Sequence, residues 1–144
     1  MKKNLMKVLA VTLMLVMVLC LSSCGATKAT VQTANGAEQV TVGDICDFAS
    51  RYENCPITVT AKVESVDGEY INQDAKPWFY YYKVELAGGW EVWVNAKDPI
   101  INTINVGDTV TAKGYVKDAW VYVTICGKEN GQWNSAGTSI TIAG

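Results

Sequence analysis

Ile57 to Val66 reads ITVTAKVESV and alternates apolar and polar side chains at the two-residue period of a half-buried strand. Ile57, Val59, Ala61 and Val63 are expected to face a core, with Thr58, Thr60, Lys62 and Glu64 facing out. About fifty residues later the phrase returns as Asp108 to Val116, DTVTAKGYV, with Val110, Ala112, Gly114 and Val116 inward. Both copies contain Val-Thr-Ala-Lys. Two such strands flanking an aromatic hairpin, with a further strand after the second, predict a small closed or nearly closed β-barrel.

The N-terminus sets the expected address. Lys2, Lys3 and Lys7 form a positive region, and Val8 to Leu21 is an apolar run too short for a membrane span, so residues 1–23 read as a secretory leader. The leader ends in Leu21-Ser22-Ser23-Cys24-Gly25, which resembles a bacterial lipobox and implies acylation of Cys24. The expected mature protein is anchored to a membrane on its extracytoplasmic face through that lipid. Without Lys2, Lys3 and Lys7, the 12 basic residues fall to nine against 14 acidic ones, a balance of about −5. That balance argues against nucleic acid as a partner, because phosphate binding draws its affinity from Lys and Arg.

Residues 24–37 are small and polar without an apolar period, and read as a lipidated N-terminus and flexible tether. Residues 38–144 are expected to form one domain. Thr41 to Tyr52 predicts a helix, with Thr41 as N-cap, Asp44 in the capping-box position, and Ile45, Phe48, Ala49 and Tyr52 along one face. Of the cysteines beyond Cys24, the expected disulfide joins Cys46 and Cys55, nearest in sequence and flanking the helix, with Cys126 free and buried; three small buried thiols are the alternative.

Asp67-Gly68 predicts a turn and a long polar loop to Trp78. Phe79 to Leu86 is the second strand, with Tyr80, Tyr82, Val84 and Leu86 inward and Phe79, Tyr81, Lys83 and Glu85 on the other face. After the Ala87-Gly88-Gly89 turn, Trp90, Val92 and Val94 alternate inward while Trp93 faces out. Ile100 to Asn105 reads as a short helical turn or loop, Lys117-Asp118-Ala119 as a turn, Trp120 to Cys126 as the fifth strand, and Gly127 to Gly137 as a polar loop. Ser139 to Ile142 is a last strand that covers a sheet edge.

The phrases Ile57-Thr-Val-Thr-Ala-Lys-Val63 and Val106-Gly-Asp-Thr-Val-Thr-Ala-Lys-Gly114 resemble those of bacterial OB-fold families, including the anticodon-binding-like OB domains of small lipoproteins. The resemblance implies an all-β, five-stranded Greek-key barrel with one N-terminal helix; an SH3-like barrel or small β-sandwich fits the same strands. It further implies a ligand face on the second and third strands and their neighbouring loops. By position that face carries Tyr81, Lys83 and Trp93, with Tyr70, Trp78 and Trp120 beside it. Exposed rings with few cations suit a protein, peptide or glycan ligand; an interface inside an envelope complex is the alternative use of the same surface.

The chain contains no histidine, no Gly-x-Ser-x-Gly elbow, no phosphate-cradling glycine loop and no metal-ligand spacing. Asp67, Glu69 and Asp74 lack the glycine and terminal glutamate of a calcium loop. The expected activity is therefore binding without catalysis, metal or cofactor.

Overall fold

The computed structural model describes residues 27–73, 75 and 77–143; the leader expected over residues 1–23 and the acyl site expected at Cys24 lie outside them. Among the described residues the architecture is mostly β, with one large sheet and two short helices. The two Val-Thr-Ala-Lys phrases are its centre. β3 (Pro56–Asn72) and β6 (Thr109–Ala119) run antiparallel, with Thr60 opposite Thr111, Val59 opposite Ala112 and Ala61 opposite Val110. The repeated phrase therefore zips against itself around the threonine pair, whose hydroxyl oxygens lie 2.8 Å apart. All four flanking apolar side chains are buried in the core.

β3 also pairs with β4 (Phe79–Leu86), β4 with β5 (Trp90–Asn95), β5 in parallel with β7 (Val123–Cys126), and β7 with β6. The ladder thus returns to β3 and closes on itself. Trp90, Val92, Val94, Val84, Leu86, Val116 and Ile125 fill its interior, as the alternation predicts. β10 (Ser139–Ile142) pairs with β6 from Lys113 to Val110 and covers that edge, also as expected.

The expected tether is corrected from residue 29 onward. Ala29–Thr33 and Gly36–Val40 form a hairpin, β1 and β2, and β1 pairs with Ile57–Val59 of β3. Ala29 and Val31 are buried, because Ala29-Thr-Val-Gln-Thr33 alternates like the strands it joins. Glu38 ties β2 to the helical segment. Its carboxylate accepts from the Tyr52 hydroxyl at 2.9 Å, from the Arg51 guanidinium, and from Thr33 Oγ1 at 3.1 Å. The Tyr52 hydrogen bond first, then that of Arg51, hold its pKa below the usual carboxylate value. A lowered folded-state pKa adds stability above the unfolded value and loses it as pH falls through the folded one. Glu38→Gln is accordingly expected to flatten the acid limb of a pH–stability profile, read by denaturant midpoints between neutral and acid pH.

The predicted helix starts as expected, with Thr41 and Asp44 forming a reciprocal capping box, but it is broken. α1 (Val42–Asp47) stops at Phe48, whose φ of −130° and ψ of 46° are not helical, and α2 (Ala49–Tyr52) follows. The break leaves Ile45 and Tyr52 buried and turns Phe48 to solvent. The Cys46–Cys55 disulfide is also corrected, since Cys46, Cys55 and Cys126 are all free thiols. The Cys55 thiol lies 3.6 Å from the Arg51 carbonyl and donates to the end of α2 rather than bonding Cys46.

Asp67-Gly68 is not a turn. β3 runs through it to Asn72, absorbing irregularities between Val63 and Ser65 and between Asp67 and Glu69, where bulges bend the strand without ending it. Lys117-Asp118-Ala119 likewise stays in β6, with a shift between Val116 and Asp118, and the turn falls at Trp120–Tyr122. On β4 the predicted faces hold for Val84 and Leu86, but Tyr80 is exposed while Tyr81 is buried. A second layer covers the outer face there.

Candidate functional site

That layer is the segment after β7. Lys128–Glu129 and Gln132–Trp133 form a small hairpin, β8 and β9, around Asn130-Gly131. Both turn residues have positive φ, 50° and 77°, as a two-residue hairpin of matching twist requires. A short 3-10 turn, Ser135–Gly137, completes the layer. Beneath it lies a second apolar cluster of Ala75, Phe79, Tyr81 and Cys126, with Trp93 and Trp133 packed against it.

The expected ligand face sits in this cluster. Tyr81 is only 6% exposed. Its ring stacks on Trp93 at 4.1 Å and 18° and on Tyr70 at 5.8 Å and 26°. Burial first, then the nearby Glu91 carboxyl, push the Tyr81 phenol up to about 12. Burial pushes the Cys126 thiol up to about 12 as well. Trp93 points away from the main core as predicted, yet it is not an open platform. Its Nε1–H donates to Glu91 Oε1 at 2.8 Å, and the Lys117 ammonium lies 4.8 Å from its ring. Lys83 lies 4.4 Å from the Tyr70 ring, and Lys117 also pairs with Asp118 at 2.9 Å.

Two clefts remain open beside this stack. The smaller, of about 380 Å³, brings Lys83, Trp93 and Trp120 together, with Glu53, Glu91 and Tyr122. The larger, of about 530 Å³, lies between the β3–β4 loop and the β8–β9 hairpin. Trp78, which is 59% exposed, Tyr80 and Trp133 supply its rings, and Asn130 and Gln132 its amides; Asn95 also lines it, with its Oδ1 accepting from the Lys97 amide at 2.9 Å. Glu69, Lys97 and Glu129 add charge at its wall. Asn134 is spent on the scaffold: its Nδ2 donates to Glu129 at 2.9 Å and its Oδ1 accepts from the Ala136 amide at 2.9 Å.

The structure therefore separates the six expected residues. Tyr70, Tyr81, Lys83 and Trp93 form one stacked assembly, Trp120 stands at the rim of the smaller cleft, and Trp78 belongs to the larger one. Strand alternation and the implied ligand face do not single out Tyr80, Trp133, Asn130 or Gln132. Asn130-Gly131, between two residue pairs able to form short strands, is the legible signal for them.

In comparisons with known proteins, no family model, no curated protein and no solved structure matches this chain.

Proposed function

We propose that this protein is a lipid-anchored, extracytoplasmic binding module with an OB-fold barrel, and that it takes a glycan in the cleft of Trp78, Tyr80 and Trp133. The barrel assignment draws on the circuit β3–β4–β5–β7–β6, whose one parallel pair, β5 with β7, is how a five-stranded Greek-key barrel of this kind closes. β1, β2 and β10 are additions to its edges. The address draws on the leader and on the Leu21 to Cys24 phrase.

One observation carries the ligand class: exposed aromatic rings and side-chain amides converge on a single open cleft. Rings present flat apolar faces to the C–H faces of a sugar. Asn and Gln both donate and accept, which matches hydroxyl groups that do the same. Among the described residues, Lys97 is the one cation lining the cleft, a poor match for a phosphate backbone.

Titrating tryptophan fluorescence with cell-wall glycan fragments, peptides and single-stranded oligonucleotides tests the proposal. Glycan is expected to give a saturable change that Trp78→Ala abolishes. Because Trp78 is mostly solvent-facing, the same substitution is expected to change stability by no more than about 0.5 kcal/mol. Saturation by peptide or oligonucleotide alone would reassign the ligand.

A further inference from the structure

The turn between β6 and β7 carries three consecutive large side chains that are all exposed, the first two almost without cover. Trp120 is 87% exposed, Val121 76% and Tyr122 48%. The Trp120 amide donates to the Tyr122 carbonyl at 3.1 Å, so the tip is a tight turn that presents its side chains outward. Neither the glycan cleft nor the main core uses Val121.

The position of this tip identifies its partner. Val123, the next residue, donates its amide to the Gly89 carbonyl at 3.0 Å, which places the tip beside the β4–β5 turn. Thr27 lies against the same turn, since a β-carbon added to Gly88 falls 2.9 Å from the Thr27 Cβ. Only three residues lead from Cys24 to Thr27, a reach of at most about 10 Å. An acyl chain on Cys24 therefore holds this end of the domain against the bilayer. Tyr80 and Asn95 of the glycan cleft sit at the opposite ends of β4 and β5, about 20 Å away along the strand from Tyr80 to Leu86.

We propose that Trp120, Val121 and Tyr122 insert into the membrane interface as a second contact beside the lipid, orienting the glycan cleft away from the bilayer. The proposal rests on the lipid-anchor reading above. Trp and Tyr suit the headgroup level, where an apolar ring body and a polar tip are both accommodated. One acyl-linked attachment leaves a domain free to tumble on its tether, whereas a second contact fixes which end faces the lipid.

The test uses the full acylated protein in phosphatidylcholine–phosphatidylglycerol vesicles whose chains carry bromine, a contact quencher of tryptophan. Wild-type emission is expected to be partly quenched. Trp120→Phe is expected to lose that quenching, and Val121→Asp to lose it with Trp120 still present, while Trp78→Phe keeps it. If the acylated wild type is not quenched, or Trp120→Phe is quenched as strongly as wild type, the tip is overturned while the anchor stands. If mass analysis finds Cys24 without an acyl group, the anchor reading fails and the tip fails with it.

Discussion

Trp90→Ala is expected to destabilise the domain by about 3 to 5 kcal/mol, the usual range for truncating a buried aromatic side chain. Trp90 is the largest of the fully buried side chains among the described residues and lies at the mouth of the strand circuit, opposite Leu86 on β4 and Val123 on β7. Its removal leaves a void that three strands border, and strands held by ladders on both sides relax little to fill it. Trp93→Ala is the informative partner. Alternation alone makes Trp93 an exposed residue whose loss costs little. In the structure its removal strips the stacked face from Tyr81 and the Nε1–H from the buried Glu91 carboxylate. Leaving a buried acceptor without its donor costs about 1 to 3 kcal/mol. The expected order of denaturation midpoints is therefore wild type, then Trp93→Ala, then Trp90→Ala. A Trp93→Ala midpoint equal to wild type would mean that the outer layer does not hold Trp93 in place.

The difference between those two tryptophans shows where sequence reading succeeds. Alternation places the inward valines and alanines of β3, β5 and β6 correctly, because a two-residue period is a local property and one wrong register would bury Thr58 or Lys62. The repeated Val-Thr-Ala-Lys goes further, since the two copies are each other's partners. The same period cannot say what lies over the outer face. Trp93 points outward, yet Lys117, 24 residues away in sequence, lies over its ring, and Trp133, 40 residues away, packs against the same outer cluster. Asn35-Gly36 and Asn130-Gly131 are the available signals for the N-terminal and outer hairpins, and the short polar strands around them hide both. Phe48 breaks the helix where its apolar period is most regular, because the tertiary contacts of Ile45 and Tyr52 outweigh local propensity.

Gly127→Ala is expected to have the largest effect of any glycine-to-alanine change among the described residues. A β-carbon at Gly127 falls 2.1 Å from the Asn134 carbonyl oxygen and 2.5 Å from both the Gly137 carbonyl carbon and the Thr138 amide nitrogen. All three are backbone atoms, so no side-chain rotation relieves the overlap. Residues 134–138 must move, breaking the 2.8 Å hydrogen bond from the Asn134 amide to the Gly127 carbonyl. That movement displaces Trp133, one residue earlier, and pulls on β10, one residue later, whose Ile140 is buried in the main core. Overpacking of this kind costs about 1 to 3 kcal/mol and occasionally more. Gly68→Ala is the control, because a β-carbon added to Gly68 meets no atom within 4 Å and its strand is exposed there. Gly68→Ala is expected to stay within about 0.5 kcal/mol of wild type. Denaturation of the two variants, paired with the glycan titration, separates the effects: Gly127→Ala loses both stability and the cleft, and Gly68→Ala loses neither. Equal stability in the two would show that residues 134–138 do not close over Gly127, and the cleft they wall would have to be redrawn.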